Sequence, residues 1–251
     1  MKEIIELNSN AVNLRKQLGE DCNSPIDIFS LIHNNEDLTL IFYPMSKRVS
    51  GMCIKEKNNK IIAVNSNSTY GRQRFTIAHE LYHLFYQENL HSDVCISDLD
   101  SSKSTQEKEA DKFASYFLAP YEALSYFIKN RLKKSDEITI EEVVKIEQNF
   151  GMSRQATLWR LVNDGYLKHK DTENMKHDII KTAKKFGFDD NLYTPTSENK
   201  KYGTYGKYIK LVESVRDKEL ISNGKYEELL LDGFRGDIIY GYDTDEEELY
   251  D

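Results

Sequence analysis

Between residues 72 and 87 apolar side chains recur at steps of three and four (Phe75, Ala78, Leu81, Tyr82, Phe85), and the same stretch carries His79-Glu80-Leu81-Tyr82-His83. The periodicity predicts one helix over these residues. A separation of four residues on a helix is about 400° and about 6 Å of rise, so both imidazoles leave one face. Burying them beside Phe75, Ile77, Ala78, Leu81 and Leu84 without a partner is costly, which argues against two incidental surface histidines. So placed, they can close on a single ion, with zinc–nitrogen bonds of about 2.1 Å. Glu80 flanks that face, close enough to act on a water at the metal without becoming a ligand.

Two histidines leave a catalytic zinc one protein ligand short. Downstream, Ser104-Thr105-Gln106-Glu107 has the spacing of a capping box and opens a second expected helix, ending before Pro120. Glu107 and Asp111 are again four apart and share a face. Glu107 is the expected third ligand. Asp111, one turn on, can accept the second ring N–H of a zinc-bound histidine. Glu109 points about 160° away and is the alternative ligand. Ala110, Phe113, Ala114 and Phe117 form an apolar stripe that would dock this helix on the first.

Residues 1–35 read as helical: Val12, Leu14 and Leu18 pattern one segment, and Pro25 suits the first turn of another. Three strand-like runs follow, Leu38–Tyr43, Gly51–Lys55 and Lys60–Asn65, with Asn58-Asn59 as a hairpin turn. They predict a small antiparallel sheet just before the histidine helix. Further helices are expected from Tyr121 to Leu132, from the Thr139-Ile140-Glu141-Glu142 box to Gly151, and after Ser153. The last two resemble a helix-turn-helix in outline, but a helical hairpin completing the core suits the local charge better. Beyond Gly165 the character changes. Residues 189–206 read as a linker or long loop, Tyr208–Leu220 and Tyr226–Leu231 as helical, and residues 243–251 as a like-charged acidic tail.

Composition bounds the partners. A net charge of −8 disfavours direct nucleic-acid binding, and the basic run Arg131-Leu132-Lys133-Lys134 is diluted by Asp136 and Glu137. No apolar run reaches the roughly 18–20 residues that span a bilayer, and Met1–Glu6 lacks the apolar core of a secretory signal. Cys22, Cys53 and Cys95, odd in number and widely spaced, argue against a disulfide framework and suit a reducing cytoplasm.

The stretches Arg74–His83 and Glu107–Pro120 together resemble the signatures of the ImmA/IrrE-type metallopeptidases, and the preceding strands match in order. The resemblance covers roughly residues 10–165. It departs at Tyr82, where glycine is common, and at Ala119, where methionine is common. It implies a zincin-like domain; with the local patterns, the expected fold is α+β, a small antiparallel sheet and mostly helices over residues 1–168, followed by a C-terminal helical extension or small domain over 169–242, outside the resemblance, and the tail. It also implies one catalytic Zn2+ on His79, His83 and Glu107, and a helix-turn-helix repressor or antitoxin as substrate, in a stress, mobile-element or toxin–antitoxin circuit.

Peptide hydrolysis with Glu80 as base is the expected activity. Tyr82 and Tyr70 are candidates to stabilise the transition state, and the Ile61–Asn65 strand, if at the sheet edge, could pair with an extended substrate. The alternative is a zinc-containing sensor or binding module that regulates a partner without cutting it; such a module has no need of Glu80.

Overall fold

The computed structural model describes residues 2–57, 59–88, 104–130 and 138–241, and the backbone alone of 92–96 and 131. The chain opens with α1 (Ile4–Gln17), which buries Leu7, Ala11 and Leu14, and α2 (Ile28–Asn34). Pro25 lies outside α2. Asp27 caps it instead, its carboxylate accepting from the N–H groups of Phe29 and Ser30.

β1 (Leu38–Tyr43), β2 (Val49–Glu56) and β3 (Asn59–Asn65) follow where the β-rich runs predict them. β2 and β3 form a hairpin with Glu56 opposite Asn59. Lys57 takes the positive φ in the turn; Asn58 lies outside the described residues. With β4 (Ser92–Ile96) and β5 (Gly203–Gly206), the sheet order is β4-β2-β3-β1-β5.

Two expectations are corrected here. The sheet is mixed, not antiparallel, because β1 runs parallel to β3. The Asn65 side chain shows why. Its Oδ1 accepts from Met45 N–H at 2.9 Å, and its Nδ2 donates to Ser46 O at 3.0 Å and Val49 O at 2.7 Å. That pins the β1–β2 connection across the end of β3 and places β3 between the two strands. For the same reason β3 is central, not an edge. Among the described residues the edges are β4, which the sequence reading did not predict, and β5, which arises from the segment that reads as a linker.

α3 (Tyr70–Tyr86) lies across β2 and β3, and α4 (Thr105–Leu118) lies between α3 and α1. Buried arginines hold the far end of α4, where helical carbonyls lack intrahelical donors. Arg15 Nη1 donates to Phe117 O at 2.9 Å, and Arg160 Nη1 to Ser115 O at 2.9 Å and Ala119 O at 2.8 Å. α5 (Tyr121–Arg131), α6 (Ile140–Phe150) and α7 (Arg154–Asn163) follow. The Thr139–Glu142 capping box opens α6, Gly151 closes it at φ +65°, and Ser153 caps α7. Phe150, Met152, Leu158 and Leu161 carry this hairpin into the main core, which also holds Leu7, Leu40, Val64, Leu81 and Phe117.

The remaining chain runs through α8 (His169–Thr172), α9 (Ile179–Lys185), a strap over residues 190–196, β5, α10 (Lys207–Asp217), α11 (Asn223–Asp232) and α12 (Gly236–Tyr240). Gly206 must be glycine: at φ +81° a Cβ would lie 2.4 Å from Leu38 O. The acidic tail at 243–251 lies outside the described residues. Among those described, no helix is long and apolar enough to cross a membrane. Cys53 is buried and Cys22 half-buried, and neither is in a disulfide.

Candidate metal centre

α3 buries a run of polar side chains against the sheet and α4: His79 is 1%, Glu80 0% and His83 1% exposed. The Nε2 atoms of His79 and His83 lie 3.0 Å apart. One oxygen of Glu107 is 3.3 Å from His79 Nε2 and the other 3.2 Å from His83 Nε2. Among the described residues these three side chains form the group whose ligand atoms converge closely enough to hold a metal. A tetrahedral zinc with bonds of about 2.0–2.1 Å separates its ligand atoms by about 3.3–3.4 Å, so the donor set fits such an ion with tenths of an ångström of adjustment.

Local helix chemistry places each donor. Ser104 Oγ accepts from Glu107 N–H at 3.2 Å, the first half of the expected capping box. The Glu107 carboxylate is turned to the imidazoles. Burial alone would raise its pKa, but hydrogen bonds and charge from His79 and His83 outweigh that and hold it well below the ordinary carboxylate range. The outer ring nitrogens are also engaged. His79 Nδ1 is 3.0 Å from Asp111 Oδ1, and His83 Nδ1 meets Gln87 Oε1. Both contacts orient the inner nitrogens toward the cluster.

Neither Glu80 carboxylate oxygen meets a nitrogen or hydroxyl donor among the described residues. Burial pushes its pKa up, against the pull of His79, the Cys53 thiol and His83. A buried acceptor of this kind, beside a cluster of metal-type donors, is poised to take a proton. Gly51 on β2 lets α3 approach the sheet closely beside it, with Thr76 and Ala63 as the limiting neighbours. A Cβ there would lie 2.6 Å from Thr76 Cγ2, 2.7 Å from Ala63 O and 3.6 Å from Glu80 Oε1.

The structure does not bring every expected residue together. Glu109, the alternative ligand, faces away. One oxygen accepts from Tyr82 Oη–H at 2.7 Å and the other from Lys2 N–H at 2.6 Å. Tyr82 thus points at Glu109 and away from the imidazoles. Tyr70, at the start of α3, packs on Phe29 with ring centroids 4.8 Å apart. Nine residues separate it from His79, about 13 Å along the helix. Neither tyrosine joins the cluster. Gln87 was missed by the sequence reading, yet it sits four residues from His83, the same spacing that reveals Asp111. Gly51 and Cys53 carry no such signal, because a strand distant in sequence brings them.

Residues 36–162 match the family model of the IrrE N-terminal-like domain, a peptidase family. The chain belongs to that family. The matched segment contains β1 to β4, α3 and α4, and with them every residue of the cluster. Over 73 residues this family member is 37% identical to the radiation response metalloprotease IrrE of Deinococcus deserti, a stretch of 29% of this chain and 24% of that protein. The match therefore spans about a quarter of that relative. A solved Mycobacterium tuberculosis transcriptional regulator covers 62% of this chain and 47% of its own at 18% identity, with a TM-score of 0.42; so remote a likeness informs neither fold nor function.

Proposed function

We propose that this IrrE-family chain is a zinc-dependent endopeptidase of the zincin type. The observation that carries the reading is the convergence of His79 Nε2, His83 Nε2 and the Glu107 carboxylate beside the buried Glu80, whose carboxylate meets no nitrogen or hydroxyl donor among the described residues. His79, His83 and Glu107 would hold the metal, with Asp111 and Gln87 fixing the imidazole tautomers. When bound, zinc supplies Lewis acidity at this point, bringing the pKa of water toward about 7.

Glu80 then works as the general base and acid. Its carboxylate takes the proton of the attacking water and returns it to the leaving amine. The buried surroundings that raise its pKa also make it an effective donor in the second step. An extended substrate would pair with β4, the edge strand beside β2. The substrate we propose is a helix-turn-helix repressor or antitoxin in the cytoplasm, a reading supported by the resemblance of the two signature helices to the ImmA/IrrE type.

The test uses wild type and Glu80→Gln with quantified zinc, each mixed with helix-turn-helix repressors and antitoxins from the genome that encodes it. Stoichiometric zinc in both, and cleavage slowed by about 10²–10⁴-fold in the variant, supports the reading. Equal cleavage by both removes Glu80 from the mechanism. Zinc in both with stable binding and no cleavage by wild type favours the sensor module, and no zinc in either overturns the metal centre itself.

A further inference from the structure

The two helices that carry the centre are joined by hydrogen bonds on opposite flanks. On one flank His79 Nδ1 meets Asp111 Oδ1 at 3.0 Å. On the other, Tyr82 Oη–H donates to Glu109 Oε2 at 2.7 Å. Around the α4 axis, Glu109 lies about 160° from both Glu107 and Asp111. Ala110, Phe113 and Phe117, all fully buried, fill the interface between the flanks.

This arrangement bears on Glu107. A contact on one flank alone acts as a hinge, about which α4 can roll and swing Glu107 off the imidazoles. Packing against Ala110 and the two phenylalanines resists such a roll weakly, because apolar contact is non-directional. A second directional bond on the opposite flank stops it. We propose that Tyr82 and Glu109 are positioning residues for the metal centre, a rung that fixes the rotation of α4 and so holds Glu107 at the metal-binding distance from His79 and His83.

Both partners suit that task. Tyr82 is 2% exposed, and its ring is clamped by Phe113 at 5.5 Å, Tyr86 at 6.0 Å and His83 at 5.8 Å between centroids. Its hydroxyl therefore has little freedom. Glu109 is buried and has a donor on each oxygen, the second being Lys2 N–H at 2.6 Å. The Lys2 ammonium lies 5.4 Å from the centre of the Tyr82 ring, a further attraction that keeps the ring in place.

The inference rests on the zinc reading above, and its test separates the two. Tyr82→Phe removes one oxygen and keeps the ring; Glu109→Leu removes the acceptor from the other side; Glu109→Gln keeps an acceptor oxygen for the phenol. Each is titrated with zinc against a chelator. Each is also loaded with cobalt for its visible spectrum and assayed for kcat and KM at saturating zinc. Tyr82→Phe and Glu109→Leu should bind zinc about 10–100-fold more weakly, with a shifted cobalt spectrum and a lower kcat at unchanged KM. Glu109→Gln should stay near wild type.

Wild-type zinc affinity and cobalt spectrum in Tyr82→Phe, even with a lowered melting temperature, would reduce the pair to packing and overturn the proposal. So would a Glu109→Gln defect as large as that of Tyr82→Phe, which would point to charge rather than to the hydrogen bond. Should one variant fail to fold, the other two still decide the question. Absence of zinc and cobalt binding in wild type would sink the function reading instead.

Discussion

The helix pair α3–α4 and the chain beyond α7 are held by different means. Around the helix pair, one continuous apolar core carries the load, and polar groups stand in it or at its edge at helical spacing: His79 and His83 on α3, Gln87 at its C-cap, Glu107 and Asp111 on α4. Beyond α7 the apolar clusters are small. One gathers Val144, Ala183, Leu192 and Tyr193, the other Val212, Tyr226 and Leu230. Besides the packing of Val144 of α6 in the first cluster and the pairing of β5 with β1, this region is tied to the rest by polar contacts that reach the α6–α7 pair Glu147 and Arg154. Arg154 pairs with Glu147 in the interior, and Tyr193 Oη–H donates to Glu147 Oε2 at 2.7 Å. Arg154 Nη1 donates to Met175 O at 2.7 Å. Chemistry in this molecule is concentrated where local helical geometry can aim side chains, and attachment where only the finished fold can.

The sharpest way to break the comparison is to remove a donor of the centre. His83→Ala leaves two ligands for a site that needs three from the protein, so bound zinc should fall to background and cleavage with it. Wild type should gain thermal stability on adding zinc, by mass action on the folded state. The variant should show no such gain. Metal analysis and melting with and without zinc check both statements. A His83→Ala protein that retains stoichiometric zinc would place the metal elsewhere.

Next in size is Glu147→Ala. It strands the Arg154 guanidinium in the interior, a change that typically costs about 3–5 kcal/mol. Urea unfolding should show that loss, while zinc affinity per folded molecule stays at the wild-type level. A fall in zinc affinity would mean that the two regions are coupled. Leu230→Ala tests the outermost cluster, at about 2–5 kcal/mol for a fully buried leucine. Amide exchange should rise in α10 and α11 and stay slow in α3; faster exchange in α3 would show that the small cluster supports the main core.

The same division decides what the sequence reveals. The cluster was legible because a spacing of four is local: His79 to His83 and Glu107 to Asp111 can be read without knowing the fold. β1 and β3 were legible from runs of β-branched and aromatic residues, and α6 from its capping box and Gly151. β4 and β5 were not. β5 is four residues long, Gly203-Thr204-Tyr205-Gly206, and is a strand only because β1 lies beside it. The parallel pairing of β1 with β3 depends on Asn65 reaching back to Met45, Ser46 and Val49, which no periodicity reports. The direction of Tyr82 was hidden for the same reason, since its partner sits on another helix.

The smallest expected effect lies at the seam between the two regions. Tyr70 N–H donates to Thr194 O at 2.9 Å, and Thr69 bridges to Pro195, so the strap crosses the first turn of α3. Thr196 Oγ1 accepts from Gln73 Nε2 at 2.9 Å and lies 3.1 Å from Gln73 Oε1. Gln73 is fully buried, and its Nε2 also donates to Ser68 O at 2.7 Å. Thr196→Val keeps the shape and removes the hydroxyl, leaving the Gln73 carbonyl to lose a donor in the interior. The cost should be about 1–3 kcal/mol, or less where water reaches the half-buried contact. If the strap serves only as an attachment, exchange of the Tyr70 amide should quicken while zinc affinity and kcat stay unchanged, because the seam meets α3 over Thr69 to Gln73, about 1.7 to 2.8 turns before His79. If kcat falls with zinc affinity intact, the C-terminal region acts on the active site through the start of α3, and the separation between chemistry and attachment fails at this point.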